Sequence, residues 1–194
     1  DKAVDFCPQD GKILEIGCFY GRSTTYMCTN IINTKRTDIN VWALDTFEGS
    51  SEHAMLKDFV GNDGTFYEAT KKHLSPFIDQ GFLHLIKSRS DDQKTLDSFD
   101  DNFFNAIIVD GAHEYEAVMD DINNWWPKLK DDGIMLFDDM YMESVSKATE
   151  VALKDKVPDY MIMQGKEAYG MAYKGKNQEN KEKYIKITPE NYFK

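Results

Sequence analysis

Two apolar runs that stop abruptly at carboxylates constrain this chain more than anything else in it. Ile107-Ile108-Val109 gives way to Asp110-Gly111-Ala112-His113, and Ile134-Met135-Leu136-Phe137 gives way to Asp138-Asp139. Short apolar runs bounded by turn residues are the pattern of fully buried parallel strands. One amphipathic segment, from Tyr115 to Leu129, lies between them and reads as a helix. Strand, crossover helix and strand build a right-handed parallel unit, which brings Asp110 and the Asp138/Asp139 pair out at the same sheet edge. Ligands of open α/β sheets bind outside that carboxyl edge.

The rest of the chain repeats this alternation. A first strand from Lys12 ends in the turn Gly17-Cys18-Phe19-Tyr20-Gly21, and Ser23-Thr24-Thr25 offers capping hydroxyls for a helix running to about Asn33. Val41 to Leu44 is a second strand, terminated by Asp45, 28 residues after Gly17. Nucleotide-binding α/β folds place a carboxylate near ribose hydroxyls in this way, and keep the first turn small so that backbone can approach the ligand. Phe47 to Asp79 is broken by Glu48-Gly49-Ser50-Ser51 and Gly61-Asn62-Asp63-Gly64, which predicts two short helices forming part of a lid. Phe82 to Ile86 is a third strand, and Thr95 to Phe99 a short helix. Met142 to Lys154 is a longer helix, with Val145, Ala148, Thr149, Ala152 and Leu153 on one side. Tyr160 to Met163 and Ala168 to Tyr173 predict an antiparallel hairpin at the sheet's edge. Residues 175–183 read as a polar loop, and 184–188 alternate as an added strand would.

Charge narrows the partners. Lysine and arginine total 23 against 34 acids, a net charge of −11, and Arg22, Arg36 and Arg89 are the only arginines. Phosphate backbones need clustered basic charge, so no nucleic-acid surface is expected. No apolar run is long enough to cross a bilayer, and the first residues lack a basic start and apolar core, so neither membrane nor signal peptide is expected. Cys7, Cys18 and Cys28 are odd in number without metal-ligand spacing, which points to a reducing, cytoplasmic setting. With 41% hydrophobic residues over 194 positions, the chain reads as one domain, residues 1–194. Its start at Asp1 rather than Met is what a trimmed or partial chain shows, and a homo-oligomer is compatible with all of this.

Gly17-x-x-x-Gly21 is not the Gly-x-Gly-x-x-Gly of dinucleotide enzymes, and Gly21-Arg22-Ser23-Thr24 lacks the lysine of a P-loop. Alone, such a glycine pair serves equally as a tight turn. Glu15 before it and Asp45 beyond it favour a ligand. Leu14-Glu15-Ile16-Gly17-x-x-x-Gly21-Arg22-Ser23 resembles the first motif of class I S-adenosylmethionine-dependent methyltransferases, and Asp45 their second acidic motif. Leu44-Asp45-Thr46-Phe47-Glu48-Gly49, Val109-Asp110-Gly111-Ala112-His113-x-Tyr115 and Phe137-Asp138-Asp139 resemble more narrowly the metal-dependent small-molecule O-methyltransferases, including macrocin-type enzymes acting on sugar hydroxyls. The resemblance covers Ile13 to Met140 and departs at Phe19, where many class members carry a middle glycine.

The expected fold is thus α/β: a Rossmann-like, mostly parallel seven-stranded sheet with helices on both faces and an antiparallel edge hairpin. The resemblance implies that Glu15 and the turn Gly17, Cys18, Phe19, Tyr20 and Gly21 hold the methionine part of S-adenosylmethionine. Asp45 would bind the ribose, and Phe47 with Ser88, Arg89 and Ser90 would flank adenine. Ser23, Thr46, Asp110 and His113 complete the expected cofactor-binding set.

Asp110, Asp138 and Asp139 are hard oxygen donors suited to Mg²⁺ or another hard divalent cation, with Asp139 the weaker ligand because adjacent residues need not both reach inward. Otherwise each caps a helix or faces solvent. A cation would make an acceptor hydroxyl nucleophilic, and a small hydroxylated molecule such as a sugar, glycosylated metabolite or vicinal diol fits that chemistry. His113, three residues past Asp110, is placed to act with Asp110 in catalysis as a general base, or else to orient Asp110. Trp125 and Trp126 read as core by their helical spacing, and Tyr20 and Tyr141 as candidates for acceptor contact. Two rival classes stand beside this one: an NAD(P)-dependent oxidoreductase and a non-catalytic nucleotide- or sugar-binding protein.

Overall fold

Strand propensity and burial build the centre first. Ile13, Leu14, Val41, Ala43, Ala106, Ile107, Ile134 and Met135 are all fully buried, as residues of a sheet covered on both faces must be. A computed structural model describes residues 2–49, 65–156, 160–163 and 169–175. The expected polar loop beyond 175 and strand at 184–188, and the Glu48-to-Gly64 breaks apart from Glu48 and Gly49, lie outside them.

The described chain runs α1 (Lys2–Phe6), β1 (Lys12–Ile16), α2 (Arg22–Asn33), β2 (Asn40–Asp45), α3 (Thr65–Ile78), β3 (Leu83–Lys87) and α4 (Gln93–Asp97). It continues through β4 (Phe104–Val109), α5 (Tyr115–Trp125), β5 (Leu129–Phe137), α6 (Glu143–Leu153), β6 (Tyr160–Met163) and β7 (Tyr169–Lys174). The seven strands form one sheet in the order β3-β2-β1-β4-β5-β7-β6. The first five are mutually parallel, and β7 and β6 close the edge antiparallel, the hairpin expected from the sequence. One apolar cluster gathers residues of α1, α2 and α3 on one sheet face, and a second gathers α5 and α6 on the other. The five residues foreseen for one side of α6 are its buried set.

Two boundaries differ from expectation. The crossover helix stops at Trp125 and β5 begins at Leu129, because Pro127 lacks the N–H a continuing helix needs. From Leu129 the strand bulges against β4, with Asp132 left-handed (φ 65), before regular pairing starts at Ile134. The short helix starts two residues early, at Gln93, since the Asp92 carboxylate accepts the Thr95 N–H at 2.9 Å and caps it. Of the two short helices expected between Phe47 and Asp79, the described residues contain one, α3.

Strand order reverses between β1 and β4, and Gly17 sits at that point. With φ 95, it would carry a Cβ only 1.8 Å from the Asp110 carbonyl oxygen. Gly81 has a similar φ of 86 but nothing within 4 Å of its Cβ position. Gly81→Ala should therefore cost about 1–2 kcal/mol of backbone strain, whereas Gly17→Ala must also force two strand ends apart and should cost more than about 4 kcal/mol. Denaturant unfolding of both variants checks this; equal losses would remove the contact as the cause.

Candidate functional site

The first turn is held from beneath and from the side. Glu15 is fully buried; its Oε2 accepts from Thr24 Oγ1 in the first turn of α2, and Oε1 has no hydrogen-bond partner. Burial pushes the Glu15 carboxyl above its ordinary range, against the pull of the Ser23 and Thr24 hydroxyls. The Asp45 carboxylate ties two loops together: Oδ2 accepts the Phe19 N–H and Oδ1 the Phe47 N–H, both at 2.7 Å. Phe19 takes the left-handed conformation (φ 47) that a glycine would adopt freely. Its N–H bond to Asp45 and its ring contacts with Tyr20 (4.7 Å) and Phe66 (5.2 Å) offset that cost. The departure at Phe19 therefore leaves the turn intact.

Beside the turn lies a cavity of about 540 Å³. Gly17, Phe19, Asp45, Thr46, Ser88, Arg89, Ser90 and Asp110, all expected at the site, line it. Arg89 turns its guanidinium onto Asp91 with two 2.7 Å bonds, and the Ser88 and Thr95 hydroxyls bond each other at 2.7 Å. Glu15, Cys18, Tyr20, Gly21, Ser23, Phe47 and His113 are not among the lining residues. Cys18 points its thiol at Thr24 Oγ1 (3.3 Å) and is buried, which raises its pKa; only its backbone serves the turn. Gly21 lies under Leu74 of α3 and begins α2, and Phe47 packs on Phe66 and Tyr67. Trp125 is core, as its spacing predicts.

The carboxylates converge at the ends of β4 and β5, though not as the trio foreseen. Asp110, His113 and Asp139 offer ligand atoms that all lie within 4.8 Å of one another. His113 Nε2 is 2.9 Å from Asp139 Oδ2. Asp139 is left-handed (φ 52), while Asp138 is exposed and spends Oδ1 on the Asp139 N–H at 2.9 Å. The residue read as the weaker ligand is thus the inward one, because a tight turn rather than strand alternation sets its direction. Burial first, then the carboxylates of Asp138, Glu15 and Asp139, push the Asp110 carboxyl up to about 8, with Arg22 opposing.

Sequence reasoning missed the α5 wall. Glu114, Glu116, Ala117, Asp120 and Asp121 all line the cavity. Asp121 falls at an apolar position of the helix repeat, beside Val118, Ile122 and Trp125, and a buried acid there was the available signal.

Sheet order, first turn and strand-end acids together define the Rossmann-like fold of class I S-adenosylmethionine-dependent methyltransferases. The chain belongs to methyltransferase family 24, whose profile, described as a methyltransferase domain, matches residues 14–140. Over 128 residues it is 30% identical to the uncharacterised protein y4gI of Sinorhizobium fredii, covering 66% of this chain and 13% of that one. An S-adenosylmethionine-dependent O-methyltransferase of Thermotoga maritima shares the fold at a TM-score of 0.60 with 12% identity, over 90% of this chain and 63% of the other. So does a spermidine synthase of the same organism, at a TM-score of 0.60 with 17% identity, over 100% and 61%. This chain spans less than two thirds of each of these three proteins. No helix of the described residues is long and apolar enough to cross a membrane.

Because the folded Asp110 value of about 8 lies above its ordinary 3.8, the native chain holds an extra proton between those values and loses stability as pH rises through them. Asp110→Asn should accordingly stabilise the chelator-treated protein by several kcal/mol at about pH 8.5, at about 1.4 kcal/mol per pKa unit, and leave it near wild type at about pH 4. Denaturant melts at the two pH values test this, and an equal effect at both would refute it.

Proposed function

We propose that this chain transfers a methyl group from S-adenosylmethionine to a hydroxyl oxygen of a small molecule, with a hard divalent cation such as Mg²⁺. A sugar, glycosylated metabolite or vicinal diol is the acceptor class. The observation that carries the reading is the convergence of Asp110, His113 and Asp139 beside the Gly17 turn. Spermidine synthase shares the fold, so the choice of reaction rests on this cluster.

The residues fit both groups. Glu15 keeps a buried carboxylate oxygen without a partner beneath the turn, which suits the ammonium end of an amino acid. Eight carboxylates line the cavity (Asp45, Glu48, Asp91, Asp110, Glu114, Glu116, Asp120 and Asp121) against one guanidinium, Arg89, already paired. Such a lining attracts a sulfonium and repels the pyrophosphate of a dinucleotide, which disfavours the oxidoreductase. For the cation, Asp110 and Asp139 would be the holding pair, with Asp138 adding negative charge beside them.

S-adenosylmethionine supplies a methyl group already activated by its sulfonium charge, and a divalent cation supplies charge that favours deprotonation of the acceptor hydroxyl. His113 takes that proton as the general base. Its Nε2 lies 2.9 Å from Asp139 Oδ2, so the carboxylate stands beside the charge that the ring acquires. Asp139 orients the ring and stabilises the imidazolium that forms. The Gly17 turn and the Asp45 bonds keep the cofactor edge of the cavity rigid, so orientation costs little at the moment of transfer.

Chelation should abolish methyl transfer to a hydroxylated acceptor while calorimetry still detects S-adenosylmethionine binding; undiminished turnover in excess chelator removes the cation from the mechanism. His113→Ala should lower kcat about 10²- to 10⁴-fold and flatten the acidic limb of its pH profile. A wild-type pH profile in that variant would reduce His113 to scaffolding.

A further inference from the structure

One residue of the first turn is fixed at both of its peptide groups by side chains from elsewhere in the chain. The Phe19 N–H goes to Asp45 Oδ2 at 2.7 Å, and the Phe19 carbonyl accepts from Thr70 Oγ1 of α3 at 3.3 Å. Because each peptide is a rigid plane, the direction of the N–H sets φ and that of the carbonyl sets ψ. Phe19 is the residue held left-handed, with φ 47, a conformation disfavoured for any residue with a side chain. Strain of that kind persists only where the surroundings over-determine it.

Thr70 belongs to a stripe. Phe66, Thr70 and Leu74 recur every fourth residue of α3 and so share one of its faces; all three are buried, Thr70 and Leu74 completely. Phe66 sets its ring against those of Phe19 (5.2 Å), Tyr20 (4.5 Å) and Phe47 (5.8 Å). Leu74 lies 2.9 Å from the position a Cβ would take on Gly21. Beside the stripe, His73 Nε2 meets Thr25 Oγ1 at 3.1 Å, while that hydroxyl donates to the Gly21 carbonyl at 2.6 Å. The helix thus follows the turn from Phe19 to Gly21. None of the three stripe residues lines the cavity, so they act on a bound ligand only through the turn. Thr70 is the polar member. A threonine inside a helix often bonds back to the carbonyl four residues earlier, but this hydroxyl is spent on Phe19, across 51 residues of chain.

We propose that Thr70 is a positioning residue for cofactor binding: by donating to the Phe19 carbonyl it holds the left-handed turn in the form that receives S-adenosylmethionine. The inference rests on reading the cavity as the site of that cofactor, with Gly17 and Phe19 of the turn in its lining. Without the hydroxyl, the Phe19 carbonyl loses its donor and Phe19 relaxes toward negative φ. The binding-competent turn is then only part of the population, and apparent affinity falls by that fraction. A glycine at this position would weaken the dependence, since glycine enters the left-handed region as readily as the right-handed one.

The test is calorimetric titration with S-adenosylhomocysteine of wild type, Thr70→Val, Thr70→Ser, Phe19→Gly and the Phe19→Gly/Thr70→Val double variant, with denaturant melts of each. Valine keeps the shape and removes the hydroxyl, so Thr70→Val should bind at least about fivefold more weakly than wild type. Thr70→Ser keeps the hydroxyl and should stay within about twofold of wild type. In the Phe19→Gly background the valine substitution should cost less than about threefold. Where Thr70→Val fails to fold, Thr70→Ala, with its higher helix propensity, takes its place under the same expectations. A lowered unfolding midpoint with wild-type affinity in Thr70→Val, a Thr70→Ser as weak as Thr70→Val, or an undiminished loss in the Phe19→Gly background overturns the inference and leaves the cofactor reading standing. Failure of the wild-type protein to bind S-adenosylhomocysteine overturns that reading, and the inference with it.

Discussion

The close approach of two strand ends at Gly17 is the contact on which the site depends. Where strand order reverses, β1 and β4 separate to opposite loops, and here the backbone of Gly17 lies directly on the carbonyl of Asp110. Only a residue without a side chain permits that distance. Gly17 donates its N–H to Leu44 of β2 at 2.9 Å and Asp110 its own to Ile16 at 2.9 Å, so three strands finish in register. Asp45 then reaches sideways to the Phe19 and Phe47 amides. The resulting crevice is set by backbone geometry before any ligand arrives.

That geometry buries and crowds negative charge. Asp110 is drawn out of water and in among Asp138, Glu15 and Asp139, and burial first, then repulsion, holds a proton on it up to about pH 8. A cation or cationic ligand relieves the same strain. Folding stability is therefore spent at the end of the sheet where chemistry is proposed, as expected of strained functional sites. Apolar packing on both faces supplies the compensation: Trp125, Phe104, Phe137, Ile13 and Leu14 are fully buried.

Much of this was legible in the chain. Apolar runs ending in acids marked β4 and β5, and the helical spacing of Val145 to Leu153 marked α6, because burial on a fixed period leaves its record in residue order. Direction at turns was not legible. Asp138 and Asp139 are adjacent and chemically alike, and a left-handed backbone at Asp139 decides which faces His113. Nor was the α5 wall, since Asp121 meets Ser90 across 31 residues of chain and no local period records that meeting.

The sequence by itself determined the order of strands and helices, the glycine that the first turn requires, and the acids at the strand ends, since propensity, periodicity and turn chemistry are local properties. Only the tertiary structure decided which of those acids share a site, how far burial and mutual repulsion raise Asp110, and that Asp121 closes the cavity wall. Those outcomes depend on distances between elements remote in the chain, and electrostatic coupling follows distance in space.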